Sequence, residues 1–314
     1  MKYDISIILP FLNESNNIQC LTLELNGFIS VHKKIKFEVI FVDDGSIDNS
    51  IELLQKSKLK FDAKIIKLSK NFGSHIALRA GIKNALGKYI TFLYADLQDP
   101  PSLITEMYAK CISGYDIVWA ERKIDNLNFI PKILSSLYAL LMRKFVDKKF
   151  PSKGFDIVMF NDKIANELNR NIESNSSIFL QILTMGFKQD SITYQKLKRK
   201  SGKSKWTLSK KIKVFIDSFV AFSYAPIRFV SFIGFLFSIS GLIFMIYIII
   251  RKIIFENVAS GWPALISILM IGFGITNISL GIIAEYLWRA LDVSRKRSVY
   301  VIDKLYEIRK YIKK

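Results

Sequence analysis

Cysteine is nearly absent from this chain, with Cys20 and Cys111 the only two. They lack metal-ligand spacing and form no disulfide framework, so both read as ordinary thiols. Acidic residues are also scarce, 27 against 46 Lys and Arg, which leaves a formal net charge of +19. The amino terminus has no basic segment followed by a long apolar run, so no secretory signal is expected. Internal repeats and low-complexity segments are missing as well. Two stretches lack charge altogether, residues 229–250 and 261–284. Each is long enough to cross a hydrocarbon core of roughly 30 Å as a helix. A buried core helix rarely stays uncharged for that length, so two membrane spans are expected.

The basic residues concentrate in 196–213 and after Arg289, flanking those stretches. Anionic headgroups and phosphates are nearer partners for them than nucleic acid. No aromatic platform interleaves with the basic run, which argues against a nucleic-acid binder. With an even number of spans both termini lie on one side, and the basic flanks make that side cytoplasmic. Trp262, Tyr286 and Trp288 fit interface anchors.

The first 200 residues carry a different pattern. Short apolar runs at residues 5–10, 37–42, 63–68 and 89–93 alternate with segments of helical spacing. That rhythm predicts an α/β fold with a mostly parallel, doubly wound sheet. Ser15 or Asn16 would cap the first helix. Residues 129–145 read as an amphipathic helix, suited to a core or to a membrane surface, with Lys132, Arg143 and Lys144 interspersed. Residues 208–224 read as a juxtamembrane helix. The tail after Arg289 reads as helical, basic and lying on the membrane. The predicted domains are 1–200, a basic loop and helix at 201–228, spans within 229–288, and a cytoplasmic tail at 289–314.

Chemistry-bearing residues fall at the strand ends. Tyr94-Ala95-Asp96-Leu97-Gln98-Asp99-Pro100-Pro101 follows an apolar run and is stopped by two prolines. Asp96 and Gln98, spaced i, i+2, can reach one hard divalent cation, and such a cation usually bridges diphosphate oxygens. Asp43 and Asp44 end another strand, and Gly45 permits a sharp turn. Either could help cap the next helix, but two adjacent acids exceed what a cap needs. Carboxylate acceptors suit a base N–H and ribose hydroxyls. Lys70 and the backbone donors near Gly73 could meet a phosphate. Arg122 is a fork donor suited to a phosphate. Asp156 sits among apolar neighbours and should be paired, metal-associated or functional. His75 reads as structural. Lys203, Ser204 and Lys205 lie in a Gly-hinged basic loop that could close over an anionic substrate, or be a solvated charge run.

Taken together, Leu9-Pro10-Phe11-Leu12-Asn13-Glu14, Val42-Asp43-Asp44-Gly45-Ser46-Ile47-Asp48, Asn71-Phe72-Gly73, Ala95-Asp96-Leu97-Gln98-Asp99-Pro100-Pro101 and Gly202-Lys203-Ser204-Lys205-Trp206 resemble polyprenyl-phosphate glycosyltransferases. These are relatives of dolichyl-phosphate mannosyltransferase, including the two-span bactoprenol glucosyltransferases. The resemblance implies a cytoplasmic GT-A catalytic domain followed by two C-terminal transmembrane helices in the inner membrane. It implies an inverting transfer from a nucleotide-sugar, UDP-linked, to a polyprenyl phosphate such as undecaprenyl phosphate, serving cell-envelope glycans. By matching motifs, Pro10, Asn13, Glu14, Asp43, Asp44, Lys70, Ala95 and Asp96 would hold the donor. Asp96 and Gln98 would hold Mg2+ or Mn2+ on the diphosphate. Arg122, Lys132, Lys203, Ser204 and Lys205 would contact donor or acceptor phosphates. Asp156, Arg122 and Asp96 would form the catalytic set. Homo-oligomers, tetramers among two-span relatives, are also implied.

Two positions depart from the family pattern. Tyr94 stands where the family carries the first Asp of Asp-Ala-Asp, so one metal or sugar contact is missing or replaced. Residues 155–158 read Phe-Asp-Ile-Val where Gly-Asp-Phe-Arg is common, which keeps Asp156 and loses the arginine. A processive polysaccharide synthase is the neighbouring reading, but its Gln-x-x-Arg-Trp sequence is absent here. A transferase with a glycolipid acceptor and a non-catalytic membrane subunit on a decayed transferase domain are the remaining alternatives.

Overall fold

The computed structural model describes residues 2–123, 129–151, 155–172, 176–197, 222–223, 225–255, 261–295 and 297–311. It divides into two compact units, Met1–Ser218 with Ser298–Lys314, and Phe219–Arg297. The first unit is built on an eight-stranded sheet. Its strands are β1 (Tyr3–Phe11), β2 (Phe37–Asp43), β3 (Asp62–Leu68), β4 (Gly87–Phe92), β5 (Ile117–Arg122), β6 (Phe155–Asn161), β7 (Gln189–Tyr194) and β8 (Ile302–Ile308). In space they run β7-β5-β6-β4-β1-β2-β3-β8. All neighbours are parallel except those involving β6 and β8, which run against the rest.

Helices cover both faces, so the central strands must be apolar on both sides. On one face Ile5, Ile7 and Leu9 of β1 pack with α1 (Ser15–Val31), α2 (Ser50–Lys56) and α4 (Ser102–Ile112), through Leu21, Leu25, Leu54 and Met107. The opposite face meets α3 (Ser74–Lys83), which lies against β1 and β2, and α6 (Asp162–Arg170), which lies against β4. Close approach of α3 to the sheet demands Gly81, because a Cβ there would lie 2.3 Å from Ile8 Cγ2. The α1 cap is Glu14 and makes no side-chain cap bond, in place of the expected Ser15 or Asn16. Ser15 instead donates its N–H to Asp48 at 3.1 Å. α5 (Phe129–Phe145) forms as expected, with Ala139 and Met142 buried and Leu137 and Leu140 exposed. α7 (Ile178–Thr184) packs its Phe179 edge-on to His75, ring centroids 5.6 Å apart.

His75 is half-buried there with its Nδ1 fully enclosed, and this desolvation together with the nearby Arg79 charge pulls its pKa from 6.5 to about 4. The unfolded imidazole protonates near its ordinary pKa, so between these values the unfolded state binds the extra proton. Stability is therefore complete above about pH 6.5 and falls as pH drops toward 4. The full loss is roughly 3 kcal/mol. Urea unfolding of the sheet unit at neutral and acid pH should show it, and His75→Leu should remove that component. An unchanged pH dependence in the variant would place the acid sensitivity elsewhere. Cys111 is buried and its thiol is pushed up to about 12, consistent with an inert core residue.

The tail is where the structure corrects the sequence. Residues 302–308 form a strand, not a helix on a membrane, and β8 pairs antiparallel with β3 from Ala63↔Ile308 to Leu68↔Ile302. Alternation explains it: Tyr306 and Ile308 pack against the core, and Glu307 lies opposite Lys64. Ser69 N–H also donates to Val301 O at 3.0 Å. In the second unit, α8 (Ala225–Phe255) and α9 (Trp262–Ser294) contain the two segments long and apolar enough to cross a membrane, Ala225–Arg251 and Leu265–Trp288. Tyr286 hydroxyl donates to Ser223 O at 2.9 Å. The expected juxtamembrane helix at 208–224 lies almost wholly outside the described residues.

Candidate functional site

Parallel strands point their carboxyl ends to one edge, and open α/β sheets put ligand chemistry there. In this sheet that edge collects Pro10 and the residues through Glu14 after β1, Asp43 and Asp44 at β2, Lys70 after β3, and residues 94–99 after β4. Arg122 closes β5 at the same edge. Because β6 runs the other way, its first residues, including Asp156, also start at this edge between β4 and β5. The topology therefore brings together predicted residues spread over 147 positions, from Pro10 to Asp156.

The two β2 acids do different jobs. Asp44 accepts from the backbone N–H groups of Phe72 (2.7 Å) and Gly73 (2.9 Å). Those donors, expected as phosphate ligands, are thus committed to Asp44 and fix the loop carrying Lys70. Asp43 Oδ1 accepts from Ser46 N–H at 2.9 Å, while its Oδ2 is buried with no hydrogen-bond partner among the described residues. Burial raises both carboxyls above the usual range, opposed by the Ser46 bonds at Asp43 and by the Phe72 and Gly73 N–H groups at Asp44. An orphaned buried acceptor at a strand end is where a ligand N–H or hydroxyl would be satisfied. Asn13 bridges the two loops: its N–H donates to Ser46 Oγ (2.8 Å), and its Oδ1 accepts from Ile47 N–H (2.9 Å). Glu14 accepts from Asn17 Nδ2 at 2.6 Å.

Gly45 makes this arrangement sterically feasible. Its φ is +78°, and a Cβ would lie 2.5 Å from the Lys70 carbonyl carbon and 2.7 Å from Asn71 N. Gly45→Ala should lower stability by at least about 2 kcal/mol, from left-handed backbone cost plus displacement of the 70–73 loop. Thermal unfolding of purified protein checks this, and an unchanged melting temperature would mean the strand end relaxes freely.

The acidic loop is shaped by an unusual backbone. Leu97, between Asp96 and Gln98, has φ +57°, and Asn13 is the other non-glycine residue of positive φ among those described. Ala95 and Leu97 are buried, while Tyr94, Asp96 and Gln98 are half-buried. Asp96 Oδ1 accepts from Gln98 N–H at 3.3 Å. The Gln98 amide donates to Leu197 O at 3.2 Å, leaving its carbonyl oxygen as the group suited to a cation. Lys70 is exposed, with its ammonium 5.2 Å from the Phe72 ring centroid. Arg122 is half-buried. For Lys132 and Asp156 only the backbone is described, in α5 and β6, and Lys203, Ser204 and Lys205 lie outside the described residues.

The glycosyl transferase family 2 profile matches residues 6–177, more than half of the chain and all of these strand ends but β7 and β8. The chain is a family 2 glycosyltransferase. A Bacillus subtilis (strain 168) protein described as the uncharacterized glycosyltransferase YkcC is 34% identical, over 96% of this chain and 94% of its own length. The undecaprenyl-phosphate 4-deoxy-4-formamido-L-arabinose transferase of Proteus mirabilis (strain HI4320) is 28% identical, over 98% of this chain and 95% of its own. Among solved structures, glucosyl-3-phosphoglycerate synthase from Mycobacterium tuberculosis, with Mn2+, UDP and phosphoglyceric acid, superposes with a TM-score of 0.49 and 13% identity. That match covers 69% of this chain and 76% of that one. The fold is of the GT-A type, a mixed and mostly parallel sheet between helices.

In this glycosyltransferase the described residues contain no group of three His, Cys, Asp or Glu side chains able to hold a metal. Asp96 and the Gln98 carbonyl are two oxygen donors carried by one loop. That set fits Mg2+ or Mn2+, which binds through one or two protein oxygens and takes its remaining ligands from substrate phosphates and water. The residues missed by the sequence reading are Asp99, Tyr194 and Lys196. Asp99 is 3% exposed, and its Oδ1 accepts from Tyr194 hydroxyl (2.6 Å) with Lys196 Nζ at 3.6 Å. A charged residue just before Pro-Pro reads as a solvated turn, so burial there has no sequence signal.

Proposed function

We propose that this glycosyltransferase moves a sugar from a UDP-linked nucleotide-sugar to a polyprenyl phosphate on the cytoplasmic leaflet, with inversion at the anomeric carbon. The observation that carries this reading is where the chain enters and leaves the sheet. It leaves after β7, whose last residue Tyr194 is at the carboxyl edge, and returns at the same edge, where Val301 bonds Ser69 and Ile302 faces Leu68. Between those points lie the two helices able to cross a membrane. Both connections to those helices therefore begin at the carboxyl edge of the sheet, which suits an acceptor whose phosphate stays at headgroup height. The relatives named for undecaprenyl-phosphate transfer, aligned over nearly their whole length, support the same acceptor.

Asp43 binds the nucleoside through its orphaned Oδ2, and Asp44 and Asn13 hold the loops around it. Asp96 and Gln98 would hold the cation, which would supply neutralising charge to the departing diphosphate. A lipid phosphate is already anionic at neutral pH, so an oxygen of it attacks the anomeric carbon with little need for deprotonation. The bond to the diphosphate breaks, a phosphodiester-linked sugar forms, and the nucleoside diphosphate leaves. Catalysis then rests on alignment and on stabilising the leaving group. Asp156 orients the acceptor, while Arg122, Lys132 and the 203–205 loop contact phosphates.

Acceptor competition tests this reading. Purified protein is given labelled UDP-sugar with undecaprenyl phosphate, a polysaccharide primer or a glycolipid primer. Label that follows only undecaprenyl phosphate supports it; label that follows a primer instead moves the chain to the polysaccharide or glycolipid class.

A further inference from the structure

Leu97 holds a left-handed backbone between Asp96 and Gln98, the two residues proposed to hold the cation, and a branched side chain adopts that conformation at a cost of roughly 1–2 kcal/mol. Something must hold it. Four ties run from this loop to the end of β7 and the residues after it. Leu197 N–H donates to Gln98 O at 2.8 Å, and Gln98 Nε2 donates back to Leu197 O at 3.2 Å. Tyr194 hydroxyl and the Lys196 ammonium meet Asp99 Oδ1. The Asp99 side chain is fully buried, at 0% exposure, so its charge demands pairing, and the partners are Tyr194, 95 residues away at the end of β7, and Lys196 just after it.

We propose that Asp99, with Tyr194 and Lys196, is a positioning clasp for the cation loop: it fixes the Leu97 turn and thereby the direction of Asp96 and Gln98. Asp99 Oδ1 is taken up by Tyr194 and Lys196, so that oxygen acts on the loop and not on the cation. The clasp acts through Asp96, so it rests on the reading that Asp96 holds the cation on the diphosphate. Outer residues that orient metal ligands change metal affinity more than they change the fold.

The test is Mn2+ affinity in the presence of UDP, read from the EPR signal of free Mn2+, with UDP affinity in chelator measured beside it. Asp99→Asn keeps the shape and an acceptor for Tyr194 but removes the charge. It should weaken Mn2+ binding by about 10-fold or more, leave UDP affinity in chelator unchanged, and raise the Mn2+ concentration needed for half-maximal turnover. Tyr194→Phe should act in the same direction and carries the test if Asp99→Asn does not fold. Asp96→Ala is the reference: it should abolish the Mn2+ site. Loss in Asp96→Ala with wild-type affinity in Asp99→Asn and Tyr194→Phe overturns the clasp alone. Retained Mn2+ binding in Asp96→Ala overturns the cation assignment, and the clasp with it. Equal losses of Mn2+ and chelator-insensitive UDP binding in Asp99→Asn would make the residue a general structural one and also overturn the proposal.

Discussion

Asp96→Ala should cut turnover by about 100-fold or more, because removing one preorganised stabiliser of developing charge typically costs 10²–10³ in kcat. The expectation is unusually steep here because the family's first Asp is replaced by Tyr94, which leaves a single carboxylate in the loop that follows β4 up to Gln98. Gln98 supplies a neutral oxygen and is partly committed to Leu197. With no second carboxylate between Leu93 and Gln98, the diphosphate would rely on its own oxygens to keep the cation. The companion variant Tyr94→Asp should tighten the metal dependence. Steady-state transfer in Mg2+ and Mn2+ measures both, and near-normal turnover in Asp96→Ala would remove the metal assignment.

Deleting residues 298–314 should cost the sheet unit far more than an exposed tail would. β8 pairs with β3 over Ala63–Leu68 and brings Tyr306 and Ile308 onto the core. Val301, just before it, also accepts from Ser69 N–H, at the start of the loop braced by Asp44. Without it, β3 becomes an uncovered edge with alternating apolar residues, a template for association. A loss of about 3 kcal/mol would lower the melting temperature by roughly 6–12 °C, and the protein should aggregate on concentration. Differential scanning calorimetry and light scattering read the two effects. A truncated protein that melts with the full chain and stays monodisperse would make β8 dispensable.

The sequence was most legible where physics is one-dimensional. β1 to β4 appear as apolar runs because both of their faces are covered, and α8 and α9 contain the two uncharged stretches. The sheet's outer strands were not legible. β7 reads Gln-Asp-Ser-Ile-Thr-Tyr and β8 reads Ile-Asp-Lys-Leu-Tyr-Glu-Ile, polar compositions that suit an edge strand and resemble loop or helix. β6 hid for another reason: its reversed direction carries Asp156 to the site edge, which no local pattern announces. At the site, Asp43 and Asp44 are equivalent in sequence. Only the fold separates the one with an orphaned oxygen from the one that binds Phe72 and Gly73, because those partners lie 28 and 29 residues away. Asp99 is legible only through Tyr194 and Lys196, in and just after a strand that the sequence does not mark.

The most direct measurement incubates purified protein with undecaprenyl phosphate and a panel of labelled UDP- and GDP-sugars, and follows label into the organic phase with Mg2+, Mn2+ or chelator. The account predicts lipid-extractable label from one UDP-sugar, dependent on undecaprenyl phosphate and weakened by chelator. No label from any donor, with no nucleotide bound, would contradict it and leave the sheet unit a transferase fold without transfer.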